Sequence, residues 1–268
     1  MKLGLCTWSY HKSLKSGKLD FVKLLKVCSQ ELKVGGIDII ADHLPKTDMK
    51  SLIQYKKMAT DLRLTIACLS PGNNFGKATE EQRQKEVEAI NNWLEVGYVL
   101  GAPALRIFSG WPEPVEDKEN LWPAMVDCIK QCEKKAKETG IVLAIEPHNH
   151  GGFLPTSADT LRLIKEINSE WVKINLDTGN YQDEDNYKGI ENTIAYAPHL
   201  HAKVHHISED GRELEFDYDK IFSIIKKAEY RGFVSLEFEG QDFNNQDELK
   251  DIPKAVGMLK KYAQKYGV

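Results

Sequence analysis

Eight short apolar runs alternate along the chain with segments of helical periodicity. The runs are rich in β-forming residues and span 3–8, 36–41, 64–69, 104–108, 141–145, 172–176, 200–204 and 233–238. In a typical intervening segment, Ile221, Ile224 and Ile225 share one helical face behind a potential N-cap at Asp217. Because strand–helix alternation joins parallel strands through crossover helices, the pattern predicts an α/β fold with a parallel sheet.

The number of these units fits the length of the chain if they close into one barrel. The 268 residues give about 33 residues per unit, which leaves little for a second domain. A doubly wound open sheet would also alternate, but it usually carries a glycine-rich phosphate-binding turn after the first strand. Here that position reads TWSY at residues 7–10. We therefore predict one domain over residues 1–268, a single (β/α)8 TIM barrel.

Composition narrows the classes of partner. Hydrophobic residues are 41% and charged residues 28% of the sequence, and the net charge is −4, so a nucleic-acid partner would need a concentrated basic patch. No apolar run approaches the roughly 20 residues that span a bilayer, and the N-terminal MKLGLCTWSY lacks the apolar core of a signal peptide. Five scattered cysteines fit a reducing compartment. We predict a cytoplasmic protein with no nucleic-acid or membrane partner.

Four consecutive predicted strands contain, or are directly followed by, a side chain that can bind a metal. Glu146 directly follows predicted strand five and Asp177 directly follows strand six, while strand seven contains His201 and strand eight contains Glu237. A charge beside an apolar run is costly unless it is paired or bound to a metal. Since TIM barrels form their active sites at the carboxyl ends of the strands, these four side chains are predicted to converge there.

Three carboxylates and one imidazole at one barrel end make a set of cation ligands. Clustered carboxylates repel one another, and a divalent cation would remove that repulsion. Oxygen-rich ligation favours Mn²⁺, Mg²⁺ or Co²⁺, with Zn²⁺ also compatible. We predict one divalent metal ion, with Mn²⁺ the most favoured. The alternative is that each charge is an ordinary loop residue just beyond a strand.

The second half of the sequence resembles a known superfamily. The segments IVLAIEPHNHGG, KINLDTGN, APHLHAKVHH and YRGFVSLEFEG are similar to the xylose-isomerase-like TIM-barrel superfamily of sugar and sugar phosphate isomerases and epimerases. The resemblance implies a metal held by Glu146, Asp177, His201 and Glu237. It also implies that His148 contacts the substrate. Relatives often have a histidine three residues after the aspartate, where this chain has Asn180.

Weaker signals lie around these positions. Lys203 shares a strand face with His201 and could meet an oxyanion or a phosphate, or serve in an ion pair. Glu239 could orient a substrate hydroxyl or form a salt bridge at the rim. His199 is expected to be a core histidine, and Arg106 a buried ion-pair partner.

Three aromatic residues near strand ends could line a sugar-binding site. Trp8, Phe75 and Trp111 follow predicted strands one, three and four. They would form an apolar wall against a sugar ring, or serve only in packing.

These features together favour a metal-dependent sugar or sugar phosphate isomerase or epimerase. The reaction would remove a proton next to a carbonyl and pass through an enediolate. By resemblance to epimerases, Glu146 and Glu237 would be the opposed acid and base, although both could be ligands only. The partner would be a small-molecule carbohydrate, and the sequence leaves a homo-oligomer open.

Three other functions remain compatible with the sequence. A lyase or dehydratase could use the same metal and the same enolate chemistry. An endonuclease-like phosphodiesterase would need further ligands, for which the first four strand ends offer only His43. A binding domain that has lost catalysis would be expected to lack some of the four ligand residues.

Overall fold

The computed structural model describes residues 1–148 and 150–268. Its eight parallel strands close into a barrel in chain order, so the predicted (β/α)8 fold is confirmed. The strands are β1 Lys2–Cys6, β2 Gly36–Ile40, β3 Thr65–Ser70, β4 Ala104–Phe108, β5 Val142–Glu146, β6 Val172–Asp177, β7 His199–Val204 and β8 Phe233–Phe238. Each predicted run therefore overlaps one strand, with ends that shift by no more than two residues.

Ten α-helices lie in the described parts of the chain. They are α1 His11–Lys15, α2 Phe21–Lys26, α3 Met49–Asp61, α4 Glu80–Leu100, α5 Lys118–Thr139, α6 Ser157–Ile167, α7 Asn186–Thr193, α8 Tyr218–Lys227, α9 Gly240–Phe243 and α10 Glu248–Tyr266. Asp217 caps α8 as predicted, because its side chain accepts a hydrogen bond from the backbone N–H of Lys220. Within these described residues, no helix combines the length and apolar composition needed to cross a bilayer.

The chain forms two compact units. The first unit contains residues 1–67 and 199–268, and the second contains residues 68–198. In the first unit, β1 pairs in parallel with β2 and β8, and β7 pairs with β8. In the second unit, β5 lies between β4 and β6. The single domain over residues 1–268 stays a prediction.

Polar side chains occupy alternate positions on the strands that carry the candidate site. His199, His201 and Lys203 alternate on β7, and all three are buried. Asn175 and Asp177 alternate in the same way on β6 and are buried too. Alternation places each set on one face of its strand. These strands therefore bury a polar face, which an ordinary barrel core of branched apolar residues would not do.

Candidate functional site

In the first unit, His201 is held between two carboxylates. Its Nε2 lies 2.6 Å from Oδ2 of Asp38 on β2, and its Nδ1 lies 3.5 Å from Oε1 of Glu237 on β8. Asp38 and His201 are fully buried. If Nε2–H donates to Asp38, the neutral imidazole has its lone pair on Nδ1, on the side of Glu237. This is the arrangement of a metal-binding histidine whose other nitrogen is fixed by a carboxylate.

Lys203 joins Glu237 to Glu239. Its Nζ lies 2.5 Å from Oε2 of Glu237 and 3.1 Å from Oε2 of Glu239, and the lysine is 4% exposed. One ammonium group therefore compensates two carboxylates where little water screens them. The ion-pair role considered for Lys203 is what the structure contains, while substrate contacts by Lys203 and Glu239 stay predictions.

His205 extends this chain of charges to the surface. Its Nε2 lies 3.3 Å from Glu239 and its Nδ1 3.0 Å from Glu215, and its ring stacks on Phe243 with centroids 4.2 Å apart. Burial acts to lower the pKa of His205, but hydrogen bonds to Glu239 and Glu215 outweigh it, so the pKa is raised. The imidazolium form therefore stabilises the folded state.

The stability that His205 contributes should depend on pH. Because its folded pKa is raised above 6.5, the contribution is complete below about pH 6.5 and is lost as the pH rises through the folded value. Thermal unfolding of wild type and His205→Gln should therefore differ most near pH 6 and less near pH 9, both pH values being approximate. His150→Gln, at an exposed histidine, is the matched control. A difference between wild type and His205→Gln that does not change with pH would contradict this assignment.

Two further buried groups of the first unit are His199 and Cys6. Nε2 of His199 lies 2.8 Å from Oγ of Ser235, which confirms the predicted core histidine. Sγ of Cys6 lies 3.8 Å from Oε1 of Glu237. Burial, followed by the charge of Asp38, raises the pKa of the Cys6 thiol well above its usual range. Cys6 is therefore a protonated thiol beside Glu237 rather than a nucleophile.

In the second unit, one guanidinium group and two amide donors surround Glu146. Nε of Arg106 lies 3.2 Å from its Oε2, so Arg106 is the buried ion-pair partner that the sequence predicted. Nδ2 of Asn175 donates to Oε2 at 3.0 Å, and Nδ2 of Asn180 donates to Oε1 at 3.2 Å. A carboxylate oxygen of Asp177 lies within 4.8 Å of one of Glu146. The structure thus brings together the two ligand candidates of this unit.

Asn180 presents an unused acceptor beside Glu146. Its Nδ2 donates both to Glu146 and to the carbonyl of Pro147, at 3.0 Å, which fixes the orientation of the amide. Its Oδ1 is buried and has no hydrogen-bond partner among residues 1–148 and 150–268. A buried carbonyl oxygen without a donor costs about 1–3 kcal/mol. At the position that departs from the family pattern, one buried acceptor therefore has no donor among these residues.

The aromatic candidates divide between the two units. In the second unit, the ring of Trp111 lies 5.3 Å from those of Phe108 and His148. Phe75 is fully buried and serves in packing. In the first unit, Trp8 follows β1 and stacks on His11 at 4.4 Å. The structure thus gathers Trp111 and His148 into one cluster, and their contacts with substrate stay predictions.

Two residues of the site were not predicted from the sequence. Asp38 lies inside the apolar run GIDII and Asn175 inside KINLD. A polar residue within a buried strand requires a partner, and Asn175 lies two positions before Asp177 on the same face. Both signals were present in the sequence, but neither shows which side chain is the partner.

Comparisons with known proteins agree with this fold. A family model described as the xylose isomerase-like TIM barrel matches residues 29–262. Hydroxypyruvate isomerase of Escherichia coli (strain K12) is 26% identical over 185 residues, which are 66% of this chain and 67% of that protein. A D-psicose 3-epimerase crystallised with D-fructose superposes with a TM-score of 0.82 at 19% identity, covering 100% of both chains. The IOLI protein with a bound zinc atom also gives 0.82, at 16% identity over 99% of each chain.

Proposed function

We propose, since this chain belongs to the xylose isomerase-like TIM-barrel family, that it is a metal-dependent isomerase or epimerase of a sugar or sugar phosphate. The relatives named isomerases and epimerases support that class of enzyme. The observation that carries the proposal is a pair of buried glutamates, Glu146 and Glu237, each at the carboxyl end of a strand and each paired with a basic side chain.

We propose that Glu146, Asp177, His201 and Glu237 together hold one divalent cation. Within the second unit the donor set is two carboxylates close to each other, and within the first it is an imidazole beside a carboxylate. Three oxygen ligands and one nitrogen fit Mn²⁺, Mg²⁺ or Co²⁺, and Zn²⁺ also binds such groups. When bound, the cation would polarise the substrate carbonyl and stabilise negative charge on the neighbouring oxygens.

The two glutamates would move the proton. One carboxylate removes the hydrogen on the carbon next to the carbonyl, and the other returns a proton, on the opposite face in an epimerase. Arg106, Asn175 and Asn180 fix the orientation of Glu146, and Lys203 fixes that of Glu237. Oδ1 of Asn180 would accept a hydrogen bond from a substrate hydroxyl.

Proton exchange with the solvent tests this reaction directly. The protein is loaded with Mn²⁺ and incubated in D₂O with a set of ketoses, aldoses and their phosphates. We expect deuterium to enter at the carbon next to the carbonyl of at least one sugar. Loss of water without exchange into recovered substrate would instead indicate a lyase, and no exchange with any sugar would contradict the proposal.

Asp38 should control the affinity for the cation without binding it. Asp38→Asn removes the charge that holds Nε2–H of His201, so the tautomer with a free Nδ1 lone pair is less favoured. We expect cation affinity to fall by about 10–100-fold, as for other partners of metal-binding histidines. Isothermal titration with Mn²⁺ measures this, and Asp61→Asn, on the exposed end of α3, is the matched control. Equal Mn²⁺ affinity in wild type and Asp38→Asn would show that Asp38 only packs.

A further inference from the structure

A pocket opens in the first unit beside the turn that follows β1. Its cavity volume is about 570 Å³, which is within the range of small-molecule sites. Leu14, Leu19, Phe21 and Pro45 give it an apolar lining, and the half-buried Trp8 also lines it. We call this cavity the Trp8 pocket.

Aromatic rings form one side of the Trp8 pocket. The rings of Trp8 and His11 are stacked with centroids 4.4 Å apart and planes 11° apart, and His43 is 6.4 Å from Trp8 and 14° from parallel. Burial, followed by the charge of His11, lowers the pKa of His43, so its imidazole is neutral near pH 7. Trp8 and the two histidines therefore form a flat surface of stacked rings, which suits a ring with an apolar face.

His43 is hydrogen-bonded to the hydroxyl of Thr7. The hydroxyl of Thr7 accepts from the backbone N–H of Ile40 at 2.9 Å and lies 2.9 Å from Nδ1 of His43. Thr7 is fully buried. If its hydroxyl donates to Nδ1, the proton of the neutral imidazole is on Nε2, which can then donate to a ligand oxygen.

The charges around the Trp8 pocket disfavour an anion. Asp20, Asp42 and Lys15 line it. Asp20 also lies 3.3 Å from Lys23, while Asp42 has no ion-pair partner within residues 1–148 and 150–268. Carboxylates accept hydrogen bonds from hydroxyl groups and repel phosphate. The preferred ligand is therefore neutral and rich in hydroxyl groups.

The turn beside the Trp8 pocket is hydrogen-bonded to β8. Oγ of Ser9 donates to the carbonyl of Leu236 at 3.0 Å and accepts from the N–H of Phe238 at 2.9 Å. The residue after Trp8 is thus bonded to the backbone on both sides of Glu237. The turn that carries Trp8 is therefore fixed to the strand that carries Glu237.

We propose that the Trp8 pocket binds a second, non-reacting sugar ring, so that the substrate is a neutral glycoside of a ketose rather than a monosaccharide or a sugar phosphate. This inference rests on the proposed function for the reacting ring. The apolar face of the second ring lies on Trp8, and its hydroxyl groups donate to Asp42 and accept from His43.

Binding of keto-disaccharides tests the proposal. Isothermal titration of the Mn²⁺-loaded protein compares D-fructose, D-fructose 6-phosphate, and the glycosylated fructoses isomaltulose, turanose and lactulose. We expect at least one disaccharide to bind roughly tenfold more tightly than D-fructose, about what one added aromatic contact provides. D-fructose 6-phosphate should gain nothing. Equal affinity for all the neutral sugars, or a preference for the phosphate, would overturn the proposal.

Two variants assign the preference to the Trp8 pocket. Leu14→Trp fills the cavity and should reduce disaccharide affinity to that of D-fructose, while D-fructose binding is unchanged. Leu249→Trp, at an exposed leucine of α10, is the matched control. If Leu14→Trp does not fold, Asp42→Ala provides the same comparison by removing the acceptor. A disaccharide preference that survives both substitutions would refute the assignment.

Failure of the enzymatic proposal would look different. In D₂O, a protein that exchanges no proton with any sugar but still prefers a disaccharide through the Trp8 pocket is a binding protein. A protein that exchanges the proton of D-fructose but shows no disaccharide preference is a monosaccharide enzyme without the second subsite.

Discussion

Glu146→Gln and Glu237→Gln should each lower turnover by at least about 100-fold, the typical loss when a general acid or base is removed. Glutamine has nearly the same size and still offers an oxygen to a cation, but it cannot take up a proton near neutral pH. Both variants should therefore keep measurable cation and substrate binding. Steady-state kinetics and Mn²⁺ titration on the same samples separate the two effects.

The two glutamate variants should also differ in which epimer they process more slowly. Each should be most impaired in exchanging the proton of the epimer whose C–H bond its glutamate faces, which NMR in D₂O measures for each epimer. Glu133→Gln is the matched control, because Glu133 is paired with Lys137 on α5, away from the site. Equal impairment with both epimers, together with loss of bound metal, would mean that the glutamates are ligands only.

Asp177→Asn and His201→Gln should each weaken cation binding by more than about 10–100-fold. That smaller loss is expected when the changed residue only hydrogen-bonds to a ligand, as Asp38 does. Asp177→Asn removes an anionic ligand. His201→Gln removes the imidazole. The amide Nε2 of the introduced glutamine can still donate to Asp38, so the buried carboxylate keeps a partner. Mn²⁺ titration measures the affinity, and thermal unfolding in metal-free buffer checks the fold.

His201→Ala is the informative contrast to His201→Gln. It leaves Asp38 buried without that donor, and breaking a buried charged pair costs about 3–5 kcal/mol. We therefore expect His201→Ala to lower the melting temperature well below that of His201→Gln. Equal, normal cation affinity in Asp177→Asn and His201→Gln would contradict the proposed ligand set.

The fold was predictable because the apolar runs and the helix-capping residues in the sequence indicate the same order of strands and helices. The eight apolar runs coincide with strands, and Asp217 caps α8 where the sequence placed a cap. Periodicity and capping are local properties, so the sequence alone determines them. Strand ends shifted by one or two residues because hydrogen bonding to neighbouring strands sets them.

The candidate ligands were predictable for a different reason. Glu146, Asp177 and Glu237 are charges at strand ends, where a barrel forms its active site. Their partners were harder to predict, because Arg106 and Lys203 contact them through side chains whose directions depend on tertiary packing. The sequence showed that Arg106 needed an ion-pair partner but could not identify Glu146.

Asn180 shows what a family pattern alone cannot provide. The sequence indicated only that a histidine of relatives is replaced. The structure adds that its amide nitrogen is bound to Glu146 and Pro147, while its oxygen has no partner among the described residues. Orientation of an amide depends on both neighbours at once, and no one-dimensional pattern encodes it.

The most direct test of a metal-dependent acid–base enzyme is turnover as a function of added Mn²⁺. The protein is stripped with EDTA, dialysed, and titrated with Mn²⁺ while proton exchange is followed in D₂O with the sugar identified by the screen. We predict no exchange without metal, a linear rise on addition, and saturation near one equivalent per chain. Full exchange by the metal-stripped protein would contradict the account.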